Sequence, residues 1–393
     1  MSGSRSCRTI LLLGLFALAC SAEPADPQGL AREPVWLRTF GTAWSTAAAA
    51  ALDEDGSLLV LGNTQSEQAG RDCAWLVRIS AEGTLLREMQ FWQAEGGMAS
   101  ALVTDPSGGL LVSGTVQAET GARAALLALD DAWDVRWQRC YGEFAQQSAS
   151  ALARDGEGNL VLAGLASGED AARTHGWIAR TDPGGELLWQ RHLERGQASA
   201  FRALAVTGEG MIAAAGYTGS PSGQDRDGWI ALLDPEGELV RELTPGGARQ
   251  DELHALISGE SGGIIAAGKT FSRGAGDFDQ WVVAYDSDGD ALWESVTGGE
   301  SCECAQTLVQ QGAGRLVTAG WTQTYGAGGY DVWLSALDGR GEVLWRHCFG
   351  GPDEDEAAAV LPGPGGGYFL AGSSISYADE AGGRVAFAAL FVP

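Results

Sequence analysis

GESCECAQTLVQQGAGRLVTAGWTQTYGAGGYDVWLSALDGRGEVLWRHCFG, residues 299 to 350, is one copy of a unit that the rest of the chain repeats. Ala305 to Val309 and Arg315 to Gly320 are short β-rich runs, Val332 to Leu337 alternates around Trp333, and Glu342 to Phe349 carries Trp345. Glycine-rich turns separate these runs, so the spacing predicts four short strands per unit.

The glycine that closes the second strand recurs at Gly62, Gly114, Gly164, Gly216, Gly268, Gly320 and Gly372, at intervals of 52, 50, 52, 52, 52 and 52 residues. One four-stranded sheet cannot bury both faces without neighbours. A period near fifty with four strands per period therefore predicts an all-β radial repeat, a β-propeller. A third-strand tryptophan follows that glycine by thirteen residues at Trp75, Trp177, Trp229, Trp281 and Trp333. The fourth strand holds Trp137, Trp189, Trp293 and Trp345, with Arg87 and Arg241 in the same slot. Large flat rings at fixed places suit packing between neighbouring sheets.

The ends decide how the repeat closes. The last unit, 351 to 393, stops after its third strand, while Pro34-Val35-Trp36 aligns with Val343-Leu344-Trp345. The expectation is a seven-bladed β-propeller over residues 34–393, built of four-stranded antiparallel blades, whose last blade is completed by the N-terminal strand and so loses its exposed edges.

Residues 1–19 read as a processing segment, with Arg5 and Arg8 ahead of a short apolar run and Ala17-Leu18-Ala19-Cys20 at its close. That close resembles the lipobox of bacterial lipoproteins, which implies lipidation of Cys20. With Ser21 next, it also implies an outer-membrane destination in a Gram-negative cell. Residues 20–33 read as the lipidated cysteine and a tether. The expected location is extracytoplasmic, with the membrane reached through the N-terminal lipid alone.

The formal net charge is −26, and loss of Arg5 and Arg8 takes it to −28. Such a field repels nucleic acid and keeps an exported monomer soluble. After processing, Cys73, Cys140, Cys302, Cys304 and Cys348 remain beside Cys20; five is odd, so they do not make a complete disulfide framework.

Four units carry long polar loops between second and third strands: 166 to 176, 218 to 228, 270 to 280 and 322 to 330. Successive strands alternate in direction, so these loops share one face of the disc. The opposite face carries hairpins such as Asp182-Pro-Gly-Gly-Glu186 and Asp338-Gly-Arg-Gly-Glu342, with aspartate first and glycine fourth, which is turn chemistry. Asp286-Ser-Asp-Gly-Asp290 has the alternating carboxylates of half a calcium loop but lacks a distal glutamate, and reads as the same turn.

Two sets of carboxylates recur on the long-loop face. Asp227, Asp279 and Asp331 stand two residues before the third-strand tryptophan, in place to cap the loop or to bind a cation or ligand. Asp251, Glu303 and Asp355 stand at the start of the innermost strand, in place to ring the mouth of the central channel. Calcium is the cation such a set would take, and no other cofactor is called for. Cys302-Glu-Cys304 and His347-Cys348 offer soft ligands, but at strand ends too far apart to share an ion. No nucleophilic triad or phosphate loop is readable.

Over residues 34 to 393 the succession Gly-Gly, acidic residue, Ala-Gly, Asp-x-Trp and Asp-x-x-Gly-Glu-x-x-Trp resembles the bacterial exported β-propeller repeat proteins. Asp338 to Trp345 also resembles the turn repeat of quinoprotein (PQQ) propellers. Those have eight blades and adjacent cysteines over the cofactor, whereas this chain has seven units and Cys-x-Cys. The lipoprotein scaffold of the outer-membrane barrel assembly machine is similar in being an anchored propeller, which implies a scaffold role. The expected function is a protein- or glycan-binding module acting through its long-loop face. The alternative is an exported hydrolase, lyase or quinone-dependent dehydrogenase using the channel-mouth carboxylates.

Overall fold

The structure, a computed structural model, describes residues 30–393 except 42, 43, 66–69, 107, 120, 171, 221, 260, 261, 313 and 379–382. The leader, Cys20 and residues 21–29 of the tether lie outside the described residues. No described helix is long and apolar enough to cross a membrane.

The described chain is all-β. After β1 (Trp36–Phe40), the strands follow in antiparallel groups of four. The first two groups are β2 (Thr46–Leu52), β3 (Leu58–Gln65), β4 (Asp72–Ile79) and β5 (Leu85–Phe91), then β6 (Gly97–Thr104), β7 (Leu110–Ala118), β8 (Gly121–Leu129) and β9 (Val135–Tyr141). Next come β10 (Gln146–Arg154), β11 (Leu160–Ser167), β12 (Thr174–Thr181) and β13 (Leu187–Leu193), then β14 (Ala198–Val206), β15 (Ile212–Gly219), β16 (Asp227–Leu233) and β17 (Leu239–Leu243). The chain continues through β18 (Asp251–Ser258), β19 (Ile264–Thr270), β20 (Asp279–Tyr285) and β21 (Ala291–Thr297), then β22 (Glu303–Gln311), β23 (Arg315–Thr322), β24 (Asp331–Leu337) and β25 (Val343–Phe349). It ends with β26 (Asp355–Pro362), β27 (Tyr368–Ser374) and β28 (Val385–Phe391). The free edge of β28 is taken by β1, Trp36 opposite Leu390 and Phe40 opposite Ala386.

Adjacent sheets pack face to face through aliphatic side chains. Leu59 and Leu61 of one sheet meet Leu102 and Val112 of the next, and Val317 and Leu334 meet Val360 and Leu370. The last sheet meets the first in the same way, Phe369, Ala388 and Leu390 packing with Leu58, Val60 and Val77. At ~25 cal/mol per Å² of apolar surface, burial of this kind is the main favourable term.

The recurring tryptophans are explained by these contacts. Third-strand Trp177, Trp229 and Trp281 are buried, and each indole N–H donates to a residue thirteen later, Gln190 at 3.1 Å, Glu242 at 2.9 Å and Glu294 at 2.6 Å. At Trp333 that slot holds Arg346, a donor, and the indole N–H is left unpartnered. The fourth-strand rings of Trp137, Trp189 and Trp293 lie on the hairpin glycine of the following sheet, Gly185, Gly237 and Gly341. Trp189 donates to Pro235 O at 3.1 Å, and a Cβ on Gly237 would fall 2.9 Å from its ring. Trp36 does the same to the first hairpin, donating to Ala81 O at 3.0 Å with Gly83 against its ring. In the hairpin at 130–134 the glycine slot holds Trp133 at φ 56°, a left-handed backbone that glycine adopts without strain, and Arg87 stacks 4.6 Å from its ring.

Leu30 to Arg32, read as the end of the tether, are docked. Cys348 N–H donates to Leu30 O and Arg32 N–H to Cys348 O, both at 3.0 Å, and Leu30 is buried. Packing thus reaches at least four residues ahead of the boundary at 34.

Candidate ligand-binding face

The six carboxylates singled out by the repeat head their strands: Asp227, Asp279 and Asp331 open β16, β20 and β24, and Asp251, Glu303 and Asp355 open β18, β22 and β26. The structure brings them together as three pairs across neighbouring sheets. Gly246, Gly298 and Gly350 fill the gap in each; a Cβ on Gly298 would stand 1.8 Å from Asp279 Oδ1 and 2.4 Å from Glu303 Oε2. A side chain there requires the carboxylates to move.

The three carboxylates expected at the channel mouth are drawn into the loops. Asp251, Glu303 and Asp355 are each 0 % exposed and are spent on the loops. Glu303 accepts from Gly299 N–H at 2.7 Å, Thr322 Oγ1 at 2.7 Å and Thr324 N–H at 3.3 Å. Asp251 accepts from Gly247 N–H at 2.8 Å, Ser272 Oγ at 2.7 Å and Thr270 Oγ1, while Asp355 accepts from Gly351 N–H at 2.7 Å and Ser374 Oγ. A carboxylate gathering amide and hydroxyl donors is a loop anchor, because those donors would otherwise be buried unpaired.

Two of their partners, Asp279 and Asp331, cap loops. Asp279 accepts from Gly276 N–H at 3.2 Å and Asp331 from Ala327 N–H at 3.0 Å. Burial and then the facing carboxylate push Asp331 up to about 7, against the Ala327 and Gly328 amides. Burial also raises Asp279 and Asp227, Glu303 and Asp251 respectively adding to it. Like charges that cannot both ionise are relieved by holding a proton.

Among the described residues, no three His, Cys, Asp or Glu side chains converge as metal ligands. Asp286 to Asp290 closes a hairpin, Asp286 Oδ1 accepting from Asp288 N–H at 3.0 Å and Asp290 N–H at 2.8 Å. Cys73, Cys140, Cys302, Cys304 and Cys348 form no disulfide with one another.

A second constellation was not predicted. Each innermost strand carries a β-bulge at the same place, for example between Phe201 and Ala203, Leu253 and Ala255, and Ala305 and Thr307. A bulge re-aims the extra residue. The bypassed column reads Ala48, Ser100, Ser150, Arg202, His254, Gln306 and Ala358. Ser150, Arg202, His254 and Gln306 line one cavity of about 320 Å³ with Phe201 and Tyr217.

Glu252, 2 % exposed, is the hub beside that cavity. Its carboxylate accepts from Arg226 Nη1 at 2.7 Å and Gln250 Nε2 at 2.8 Å, with His254 Nε2 at 3.4 Å, Arg202 Nη2 at 3.5 Å and Lys269 Nζ at 3.8 Å. Burial alone would raise Glu252; His254, Lys269, Arg226 and Arg202 override it and hold the carboxyl well below the usual range. Burial pushes His254 down, and its Nδ1 lies 3.3 Å from Cys304 Sγ, whose thiol burial pushes up to about 12. The imidazole faces the Cys304 thiol through Nδ1 and Glu252 through Nε2.

Beyond the hub, half-buried rings run across the long-loop side. Phe271 and Phe278 stand 4.7 Å apart, Phe278 and Trp321 5.5 Å, and Trp321 and Tyr330 4.4 Å between centroids. Lys269 Nζ sits 5.1 Å from the Phe278 ring, and Arg226 and Arg202 lie 4.1 and 5.3 Å from Tyr217. Tyr217, Lys269 and Trp321 occupy one repeat position, 52 residues apart, so they form an arc.

Comparison with known proteins gives the fold. No protein-family model matches the chain, and no curated protein matches it in sequence. Among solved structures it is similar to a catalytically inactive variant of the virginiamycin B lyase of Staphylococcus aureus with quinupristin, at TM-score 0.54 and 9% identity over 91% of this chain and 99% of that one. It is also similar to Sqt1 of Chaetomium thermophilum, at 0.52 and 10% over 91% and 100%, and to the Penicillium chrysogenum α-L-arabinanase with arabinobiose, at 0.50 and 14% over 77% and 94%. The chain has a β-propeller fold.

Proposed function

We propose that this chain is a lipid-anchored, extracytoplasmic propeller of seven blades that binds a protein or glycan partner through its long-loop face. Closure by the N-terminal strand is supported by the pairing of β1 with β28 and by Trp36 reaching the hairpin of the first sheet. Anchoring through Cys20 rests on the leader sequence.

The observation that carries the binding reading is the row of Phe271, Phe278, Trp321 and Tyr330, half-buried rings in successive tilted and perpendicular contacts beside Lys269. Aromatic rings with one face covered and one open are the groups that most often anchor a partner. The acidic remainder of the surface limits adhesion elsewhere.

A glycan array and a pull-down from the envelope fraction, each run with the full chain and with a variant whose loops 271–278 and 323–330 are shortened to tight turns, test the reading. Retention is expected with the full chain and lost with the variant. Equal retention by both refutes it.

A further inference from the structure

We infer that the arc from Arg202 to Tyr330 takes an anionic sugar, an oligosaccharide bearing a carboxylate or sulfate; this rests on the binding reading above and names the class of its ligand. The charge around Glu252 is lopsided. Arg202, Arg226 and Lys269 supply three positive charges against its one negative charge, a local excess of two in a chain of net charge −26.

One cation of the three is surplus to the hub. Glu252 is already held by Arg226 at 2.7 Å and Gln250 at 2.8 Å, whereas Arg202 stands at 3.5 Å with its side chain 42% exposed. Its guanidinium therefore keeps donors for the cavity that it lines with Ser150 and Gln306. A planar fork of N–H donors on a partly desolvated wall matches a carboxylate or sulfate, and the Tyr217 ring lies 5.3 Å from it. The buried carboxylate fixes the cluster in place before any ligand arrives, which removes part of the ordering cost of binding.

The rings supply the other half of the ligand. Lys269 and Trp321 follow Tyr217 around the arc, and Phe278 and Tyr330 extend the row outward, so an anionic group at Arg202 leaves the neighbouring sugars over aromatic faces. Arg202, reaching from the hub into a cavity of about 320 Å³, suits a single small anionic group better than the broad surface of a protein.

The test is titration calorimetry of the full chain with an oligogalacturonate, its methyl ester and a sulfated oligosaccharide of equal length, repeated with R202Q, R202K and W321A, each checked for an unchanged melting temperature. The free acid or the sulfated sugar is expected to bind at least tenfold more tightly than the ester, and which of the two binds identifies the anion. R202Q should remove that preference, R202K should keep part of it through charge without the fork, and W321A should weaken every sugar. If R202Q does not fold, R202K alone carries the comparison. Equal binding of acid and ester, or an acid preference unchanged in R202Q or R202K, overturns the anionic assignment while leaving loop-face binding intact. Capture of a protein by the loop face with no sugar bound overturns it too, again without touching the broader reading.

Discussion

Asp331 shows how much a single residue can set. Its pKa is an ordinary carboxylate value in the unfolded chain and about 7 in the folded one, so the native state keeps a proton that the unfolded state releases. The stability this contributes is whole below about pH 4 and is lost as pH rises through about 7. D331N should therefore gain stability relative to the parent chain between about pH 5 and about pH 8, read as melting temperature against pH; parallel curves would contradict it. Glu252 works with the opposite sign, since cations hold it ionised. E252Q should destabilise the chain by about 3 kcal/mol in denaturant unfolding at pH 7, because it leaves Arg202, Arg226 and Lys269 facing one another unneutralised. At this scale the sequence was only half legible. The six loop-face carboxylates stood out because they recur, but their burial depends on contacts between neighbouring sheets that no single unit contains. Arg202, His254 and Gln306 were missed because the bulge in each first strand breaks the two-residue alternation. The available signal was an aligned column of small residues interrupted by three large polar ones.

Strands, hairpins and linkers were legible nearly to the residue. The unit-six strands begin or end within two residues of their expected places, and the Asp-first, Gly-fourth hairpins close as turn chemistry requires, Gly341 N–H donating to Asp338 O at 3.0 Å. The strands overran where side chains finish the ladder. Thr322 pairs with Asp331, shortening the loop between them to 323–330. The linkers carry a constraint their sequence only hinted at: Gly246, Gly298 and Gly350 pass directly over the carboxylate pairs. G298A should lower stability by about 2 kcal/mol in denaturant unfolding, since its methyl group meets Asp279 and Glu303, both buried and tied to loop donors. A neutral result would mean that the pair moves apart freely.

At the scale of the molecule, seven recurrences of one glycine were enough to read the fold class, because a regular period of four strands has few ways to bury its sheets. The Glu252 cluster and the row of rings beside it were not legible, since charge and rings from several sheets meet only after folding. The account turns on β1 completing the last sheet and bridging it to the first, where Arg38 Nε donates to Gly83 O at 3.2 Å beside Trp36. Hydrogen exchange on the full chain and on a chain starting at residue 41 tests this most directly. The account predicts that the shorter chain loses amide protection through β26, β27 and β28 and in the 80–84 hairpin; unchanged protection in those segments would contradict it.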